Sequence, residues 1–504
     1  MAGYYSRLEE FKKMISNIEY LSYTQNSLVY WDKLTYMPPG AIEYRAKVMA
    51  FLADEQYKLM SSPKFKGHVA FFDHHKKNDP LTESMVSQIR QSADYVRRVP
   101  EDEYQAYIRL IAVSEQVWEQ AKEKNDFALF QPYLEEIFTT FKRFTNYWGY
   151  SEDPYDALLS YYVHGLTTAV IDDMLYTLKP FLMDLYERIQ KIHPAKPESS
   201  PSPIFPPMDG NRQKALWEHI LGKMGFSFYT GRIDIGSHPT VLANSPDDVR
   251  IVNAYSEEDT AFGLFNALHS GGKGIYQQSI DKNLLGTFLA KVPSFALEEG
   301  IGRFYENILG RSRGFAEFFT RELRDVSEGQ LSLAPQQFYE DVNAVKPTLI
   351  RIQADELTYL LHIIIRYEIE RDLIGGKLSV SDLPQVWNQK YQDTLGICPS
   401  RDTEGVLQDI HWAAGYVGYF PTYLVANLAA AQLAASVEAD CGSLDQLAAA
   451  GSFDVINQWL KEHIFTYGAQ YSTGELLRSA TGRELSSQSY MDYLLKKYTE
   501  VYRL

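Results

Sequence analysis

Apolar residues recur at three- and four-residue spacing along most of the chain, which is the pattern of amphipathic helices. The clearest stretches are residues 104–124 (YQAYIRLIAVSEQVWEQAKEK) and 348–374 (TLIRIQADELTYLLHIIIRYEIERDLI). Strand-like patterns, in which β-branched and aromatic residues meet polar ones without helical spacing, occur at residues 226–235 and 248–255. The sequence therefore predicts a mainly α fold with a small β-sheet formed by these two segments.

A proline-rich stretch interrupts the helical pattern at residues 193–210 (HPAKPESSPSPIFPPMDG). Proline removes a backbone donor and clashes with the preceding turn, so a helix cannot continue through it. The stretch is either a linker between domains or a surface loop inside one domain. Because helical periodicity resumes on both sides, we interpret it as an internal loop and predict a single domain over residues 1–504.

Charge and composition narrow the classes of function. The 504 residues include 49 Lys and Arg against 65 Asp and Glu, a net charge of −16. A surface of this sign repels polyphosphate, which disfavours nucleic-acid binding. The N-terminal residues lack the apolar core of a signal peptide, and no apolar run looks long enough to span a membrane. We therefore expect a soluble, cytoplasmic protein that binds neither nucleic acid nor membrane.

The segment at residues 264–278 (LFNALHSGGKGIYQQ) places His269 and Lys273 four positions apart, and therefore on one face of a helix. Zinc proteases with an H-E-x-x-H motif present two histidine ligands at this spacing, with the general-base glutamate after the first. Here Ser270 stands in place of the glutamate and Lys273 in place of the second histidine. Three glycines between residues 271 and 274 each cost about 1 kcal/mol in a helix interior, so we expect local relaxation of this helix.

Further segments match the patterns of one enzyme family. Residues 350–355 (IRIQAD) fit an I-R-x-x-A-D pattern, and residues 296–313 (ALEEGIGRFYENILGRSR) contain a variant of H-E-S-x-x-R. The G-x-x-Q-D-x-H-W pattern is matched at Gly405, Gln408, Asp409, His411 and Trp412. Together with residues 264–278, these segments resemble the carboxypeptidase Taq family of metallocarboxypeptidases, and the similarity extends over nearly the whole chain.

Membership of this family would imply a mainly α, single-domain peptidase of zincin-like architecture with a deep groove and a small β-sheet, usually a homodimer. Such enzymes remove residues from peptide C-termini with the help of zinc or cobalt. The resemblance assigns the metal to the two histidines of H-E-x-x-H and a downstream glutamate, and the activation of water to the glutamate of the motif. In this chain those four positions are His269, Ser270, Lys273 and Glu299.

Two of the three ligands remain, and the base does not. A protonated lysine has no lone pair and repels a dication, so we expect no bound metal cofactor and no hydrolysis. Lys273 either pairs with Glu299 in place of the ion or extends to solvent. Two other functions stay open: an active enzyme with an altered metal site, for which Glu298 is the nearest substitute carboxylate, and a dimeric scaffold without a groove ligand.

Groups suited to holding a peptide C-terminus are retained. Arginine pairs with a carboxylate, and histidine and tyrosine form hydrogen bonds to peptide groups. The candidate substrate-binding residues are His238, Arg250, Arg351, His411 and Tyr423. We therefore predict a carboxypeptidase Taq-like protein that binds peptide C-termini in its groove and has lost zinc-dependent cleavage.

Overall fold

The structure, a computed structural model, describes residues 2–75, 79–193, 205, 207–236 and 239–504. In chain order its α-helices are Ala2–Thr24 (α1), Asp32–Thr35 (α2), Ile42–Ser61 (α3), Pro63–His74 (α4), Pro80–Arg97 (α5), Glu101–Lys124 (α6), Phe127–Trp148 (α7), Tyr155–Tyr162 (α8), Thr168–Ile192 (α9), Gly210–Lys223 (α10), Thr260–Ser279 (α11), Phe295–Arg303 (α12), Arg313–Val326 (α13), Pro335–Val342 (α14), Glu356–Ile374 (α15), Leu383–Leu395 (α16), Pro421–Cys441 (α17), Leu444–Ala450 (α18), Phe453–His463 (α19), Thr473–Thr481 (α20) and Gln488–Tyr502 (α21). Shorter π and 3-10 segments are Gln25–Trp31, Pro39–Ala41, Lys282–Leu284, Phe304–Leu309, Arg351–Gln353, Val380–Asp382 and Phe465–Gln470. The predicted mainly α fold is confirmed.

The sheet has three strands, Gly231–Ile235 (β1), Thr240–Ser245 (β2) and Asp248–Asn253 (β3), in the order β1–β3–β2. β1 runs parallel to β3, and β2 runs antiparallel to it. Both strands predicted from the sequence are therefore confirmed, and they pair with each other. β2 was missed because all six of its residues are half-buried, so its sequence lacks an alternation between apolar and polar positions.

The periodic stretch at 348–374 forms a helix only from Glu356 onwards, so the helix begins later than predicted. Asp355 ends the preceding turn and caps α15, because its carboxylate accepts the N–H groups of Leu357 and Thr358, each at 3.0 Å. Residues before the cap form the 3-10 turn Arg351–Gln353. This capping leaves Arg351 outside the helix.

The chain groups into two compact units, each built from three segments. The first unit comprises residues 1–91, 200–342 and 433–484, and it contains the sheet, α11 and α12. The second unit comprises residues 92–199, 343–432 and 485–504, and it contains α9, α15 and α16. Most of the proline-rich stretch, residues 194–204 and 206, lies outside the described residues, so the internal loop, the groove and the single domain stay predictions.

One helix of the described chain, Phe420–Cys441, is long and apolar enough by composition to cross a membrane. The expectation that no run is long enough was therefore wrong. Thr, Asn, Gln and Ala separate the larger apolar residues of this helix. The length of its apolar run was therefore underestimated from the sequence. Because 83% of its apolar window is buried inside the protein, this helix belongs to the core.

Candidate functional site

Helix α11 carries the first candidate site and is continuous over Thr260–Ser279, so the predicted local relaxation was wrong. Its glycines are needed because neighbouring side chains touch the helix backbone. A Cβ on Gly271 would lie 2.3 Å from Leu221 Cδ2, and a Cβ on Gly272 would lie 2.4 Å from the Tyr305 ring. Close packing thus offsets the conformational cost of glycine in this helix.

His269 is held between two carboxylates. Its Nδ1 lies 3.0 Å from Glu306 Oε2, and its Nε2 lies 3.2 Å from Glu299 Oε2. An ionised carboxylate only accepts hydrogen bonds, so a ring nitrogen that carries a proton donates to the carboxylate beside it. Gly302 allows the imidazole to lie here, because a Cβ at that residue would come within 2.5 Å of the ring.

Lys273 meets Glu299 as the first of the two interpretations predicted. The Lys273 ammonium donates to Glu299 Oε1, and the two side chains are only 13% and 15% exposed. Burial alone would raise the pKa of Glu299, but the charges of Lys273 and His269 hold that pKa well below its usual range. Lys273 therefore does not extend to solvent, and Glu299 has a basic side chain beside each of its oxygens.

A catalytic zinc ion requires three protein ligands and one open position. His269 Nε2 and Glu299 Oε2 are 3.2 Å apart, close to the roughly 3.3 Å between two tetrahedral ligands at zinc distances. The third position holds the Lys273 ammonium, and Glu298 is bound instead by Gln277 Nε2 at 2.9 Å. Within the described ranges, no three His, Cys, Asp or Glu side chains are arranged to hold a metal. The donor set offers two ligands, which does not fit a catalytic zinc ion.

A second buried cluster lies in the second unit around Asp409. Arg351 Nε and Nη2 lie 3.0 and 2.9 Å from Asp409 Oδ1, and Arg366 Nε lies 2.7 Å from Oδ2. Although burial would raise the pKa of Asp409, the charges of Arg351 and Arg366 hold that pKa far below its usual range. Two guanidinium groups share one carboxylate, which leaves an excess of positive charge.

Three of the five candidate substrate-binding residues come together at this cluster. The Arg351 carbon Cζ lies 5.3 Å from the Tyr423 ring centroid, and the His411 and Tyr423 rings are 6.3 Å apart. Burial lowers the pKa of His411 to about 4, so its imidazole is neutral at pH 7. Its Nδ1 is buried without a hydrogen-bond partner among the described residues. Arg351 can bind a ligand carboxylate, and the neutral His411 can accept a hydrogen bond from an N–H group beside that carboxylate.

The two remaining candidate substrate-binding residues are Arg250, which the structure describes, and His238, which it does not. Arg250 binds Asp248 through two parallel hydrogen bonds of 2.8 and 2.9 Å, and its Cζ lies 4.7 Å from the Trp31 ring. Alternate residues of a strand lie on one face, so residues 248 and 250 share a face. This alternation was visible in the sequence, but the ion pair between Asp248 and Arg250 was not predicted. The positive charge of Arg250 is thus already balanced by the Asp248 carboxylate in the first unit. His238 lies outside the described residues.

Sequence reasoning missed two buried charged residues, Arg366 and Glu370, and the partly buried Glu306. Arg366 and Glu370 interrupt the apolar run of α15, which was a usable signal because buried charges are rare. Glu370 accepts hydrogen bonds from Trp412 Nε1 at 2.5 Å and Gly418 N at 3.0 Å, and from the Tyr155 hydroxyl. Burial raises the pKa of Glu370 to about 7. It therefore anchors the segment that carries Asp409 and His411.

Comparison with known proteins adds to this geometry. Residues 10–498 match the family described as Carboxypeptidase Taq (M32) metallopeptidase. Carboxypeptidase 1 of Bacillus subtilis is 37% identical over 500 residues, covering 98% of this chain and 99% of the relative. Thermostable carboxypeptidase 1 of Thermus thermophilus is 34% identical, with 99% of both chains covered.

Solved structures agree with these relatives. The M32 carboxypeptidase from Deinococcus radiodurans R1 superposes with a TM-score of 0.94 at 29% identity, covering 99% of this chain and 100% of that one. Metallocarboxypeptidase 1 of Trypanosoma cruzi gives a TM-score of 0.92 at 31% identity, with 98% and 99% covered. The resemblance drawn from the motifs thus extends to the whole fold.

Proposed function

Because this chain belongs to the carboxypeptidase Taq family of metallopeptidases, we propose that it binds peptide C-termini but has lost metal-dependent hydrolysis. The proposal rests chiefly on the contact between the Lys273 ammonium and Glu299, at the position where the family has its second histidine ligand. A catalytic zinc ion needs three protein ligands and one open position, and it supplies a bound water of lowered pKa. Lysine provides a charge but no lone pair.

Ser270 supports the same proposal for the base. A positioned general base contributes about 10²–10⁴-fold to a rate, and the hydroxyl of serine does not accept a proton at neutral pH as a carboxylate does. Ser270 is buried, at 3% exposure, on the same helix as His269. The proposed loss therefore affects both the metal and the group that would activate water.

Binding of a peptide C-terminus is supported by the cluster around Asp409. Arg351 makes three hydrogen bonds, two to Asp409 and one to the Tyr359 hydroxyl, out of the five N–H groups an arginine carries. The remaining N–H groups and the excess positive charge favour a ligand carboxylate. His411 and Tyr423 lie beside Arg351 and suit the adjoining peptide group. A homodimer in the cytoplasm is part of the same proposal.

One observation favours a second candidate, an active metallocarboxypeptidase with an altered metal site. The 3.2 Å separation of His269 Nε2 and Glu299 Oε2 matches that of two ligands on one ion. This candidate requires Lys273 to leave Glu299 and a new ligand to enter. Glu298 would have to give up its hydrogen bond to Gln277 to do so.

The experiment is a hydrolysis assay on a panel of N-blocked dipeptides with added zinc or cobalt. The unmodified protein should show no turnover, whereas the double variant Ser270→Glu, Lys273→His should regain turnover that a chelator abolishes. The exposed residue Lys461 offers a matched control, and Lys461→His should stay inactive. Chelator-sensitive turnover by the unmodified protein would favour the second candidate.

Calorimetry with the same peptides tests the binding part. The unmodified protein should bind them, and Arg351→Gln should weaken binding about ten-fold or more, because a charge-assisted hydrogen bond is worth roughly 1.5–3 kcal/mol. Lys461→Gln should leave binding unchanged. Absence of binding by the unmodified protein would contradict the proposal and favour a scaffold without a groove ligand.

A further inference from the structure

A cavity of about 460 Å³ opens among α9, α15 and α16 in the second unit. It shares no lining residue with the clusters around Glu299 and Asp409. Small-molecule sites usually measure about 300–1,000 Å³ and are mostly apolar. This one is lined mainly by charged side chains, including Asp172, Glu368, Arg371, Asp372, Lys377 and Lys390. Its size and lining suit a small, polar, charged ligand.

One end of the cavity carries an excess of positive charge. The Glu368 carboxylate accepts from Lys390 Nζ at 2.7 Å and from Lys179 Nζ at 2.5 Å, so two ammonium groups share one carboxylate. Lys377 also lines the cavity and is exposed, and its backbone N–H donates to Asp372 O at 2.8 Å, so its backbone lies at the C-terminal end of α15. A carboxylate is the group that this end lacks.

The other end carries an excess of negative charge. Arg371 binds Asp153 Oδ2 at 2.8 Å and Asp172 Oδ2 at 2.6 Å, so two carboxylates share one guanidinium. Asp372 adds another carboxylate to the lining, and within the described ranges its side chain has no partner. Tyr367 donates to Asp172 Oδ1 at 2.8 Å and fixes its orientation. An ammonium is the group that this end lacks.

The two ends are one helical turn apart. Glu368 and Arg371, the centres of the two charged groups, are three residues apart on α15, which places their Cβ atoms about 5–6 Å from each other. A ligand that spans both ends must carry a cation and an anion separated by a few ångströms. Leu175 and the 83% exposed Tyr176 add apolar surface beside the charges.

We propose that this cavity binds a zwitterion with an ammonium and a carboxylate on one short backbone, namely a free α-amino acid or a dipeptide. Its ammonium binds at Asp172 and Asp372, and its carboxylate binds at Lys390. Leu175 and Tyr176 contact the ligand side chain. Charge-assisted hydrogen bonds at both ends select against molecules that carry only one of the two charges.

Calorimetry with capped and uncapped ligands tests the proposal. The titrations use an Arg351→Gln background, in which binding at the Asp409 cluster is expected to be about ten-fold weaker or worse, and the cavity variants below separate the two sites. The probes are leucine, leucyl-leucine, N-acetyl-leucine without the ammonium and leucinamide without the carboxylate. At least one uncapped probe should bind, and its capped forms should bind about ten-fold more weakly or worse, as expected for loss of a charged hydrogen bond. Leucine and leucyl-leucine distinguish the amino acid from the peptide.

Two conservative variants locate the binding. Lys390→Gln leaves Glu368 with Lys179, and Asp172→Asn leaves Arg371 with Asp153, so neither strands a buried charge. Each should weaken the uncapped ligand about ten-fold. The controls Lys461→Gln and Asp454→Asn change the same charges at exposed positions on α19 and should have no effect. Equal binding of capped and uncapped probes, no binding of any probe, or unchanged binding by both cavity variants would overturn the proposal.

Discussion

Two largely buried carboxylates, Glu299 in the first unit and Asp409 in the second, each contact two basic side chains. Asp409 is held by two guanidinium groups, whose charge does not depend on pH in the range where proteins fold. Glu299 is held by the Lys273 ammonium and the His269 imidazole. Under our proposal, the Glu299 cluster has exchanged a metal ligand for a charge, whereas the Asp409 cluster keeps groups suited to a peptide C-terminus. Groups for binding and groups for hydrolysis would then have diverged independently on one fold.

The largest expected effect is that of Asp409→Asn on stability. It would leave the Arg351 and Arg366 guanidinium groups buried without a countercharge, and breaking a buried pair costs about 3–5 kcal/mol. We expect a loss near the top of that range in the free energy of unfolding, measured by urea denaturation at pH 7. Asp454→Asn, at an exposed position, should change stability by less than about 0.5 kcal/mol.

The pH dependence of that loss follows from the lowered pKa of Asp409. A carboxylate with a depressed pKa contributes stability above its unfolded pKa of about 4, and this contribution is lost as the pH falls towards the folded pKa. The difference between the unmodified protein and Asp409→Asn should therefore narrow below about pH 4. A difference that stays constant down to pH 2 would contradict the buried charge pairs.

Lys273→Met should have a smaller effect, because Glu299 keeps His269 as a partner. We expect a loss of about 3 kcal/mol in the free energy of unfolding at pH 7. Adding Glu299→Gln should recover part of it, with a coupling of roughly 1–3 kcal/mol in the double-mutant cycle. Strictly additive effects would mean that the Lys273 ammonium does not replace a cation at Glu299.

Glu370 extends the comparison to a buried carboxylate that is bound only by neutral donors. Burial raises its pKa to about 7, above the ordinary value of 4.5. The folded protein then holds this proton more tightly than the unfolded chain, so the associated stability is complete below about pH 4.5 and is lost as the pH rises through 7. A shift of this size corresponds to at most about 3 kcal/mol.

Glu370→Gln tests this directly, because glutamine does not titrate. The fall in the free energy of unfolding between pH 5 and pH 8 should be smaller in this variant than in the unmodified protein. The difference between their slopes, measured by urea denaturation across that range, is the expected signal. Parallel pH profiles would show that Glu370 stays in one protonation state throughout.

Much of the fold was predictable from the sequence because long helices repeat their apolar positions many times. The sheet was predictable in part: β1 and β3 carry β-branched residues at buried positions, whereas β2 is half-buried throughout and gives no pattern. The start of α15 was placed too early because apolar residues at 348–355 continue the helical spacing, although Asp355 caps the helix after them. Periodicity locates an element, and its boundaries depend on caps.

The candidate site was predictable where short family motifs carry it: His269 and Lys273 lie in one motif and Glu299 in a second one downstream. It was not predictable where partners come from distant segments. Glu306 was inside a quoted segment, but its contact with His269 depends on the path of the chain after α12. The pairing of Asp248 with Arg250 is a different case, because the two residues lie two positions apart on one strand and their contact could have been predicted. Local patterns identify chemical groups, while tertiary packing decides which of them are already paired.

The central claim is that Lys273 has taken the place of a metal ligand. The most direct test is to load the protein with zinc, dialyse it against a mild chelator and measure zinc per chain by elemental analysis, alongside the double variant Ser270→Glu, Lys273→His. We predict far less than one zinc per chain in the unmodified protein and close to one in the variant, because only the variant supplies three ligands. Stoichiometric zinc retained by the unmodified protein would contradict the claim.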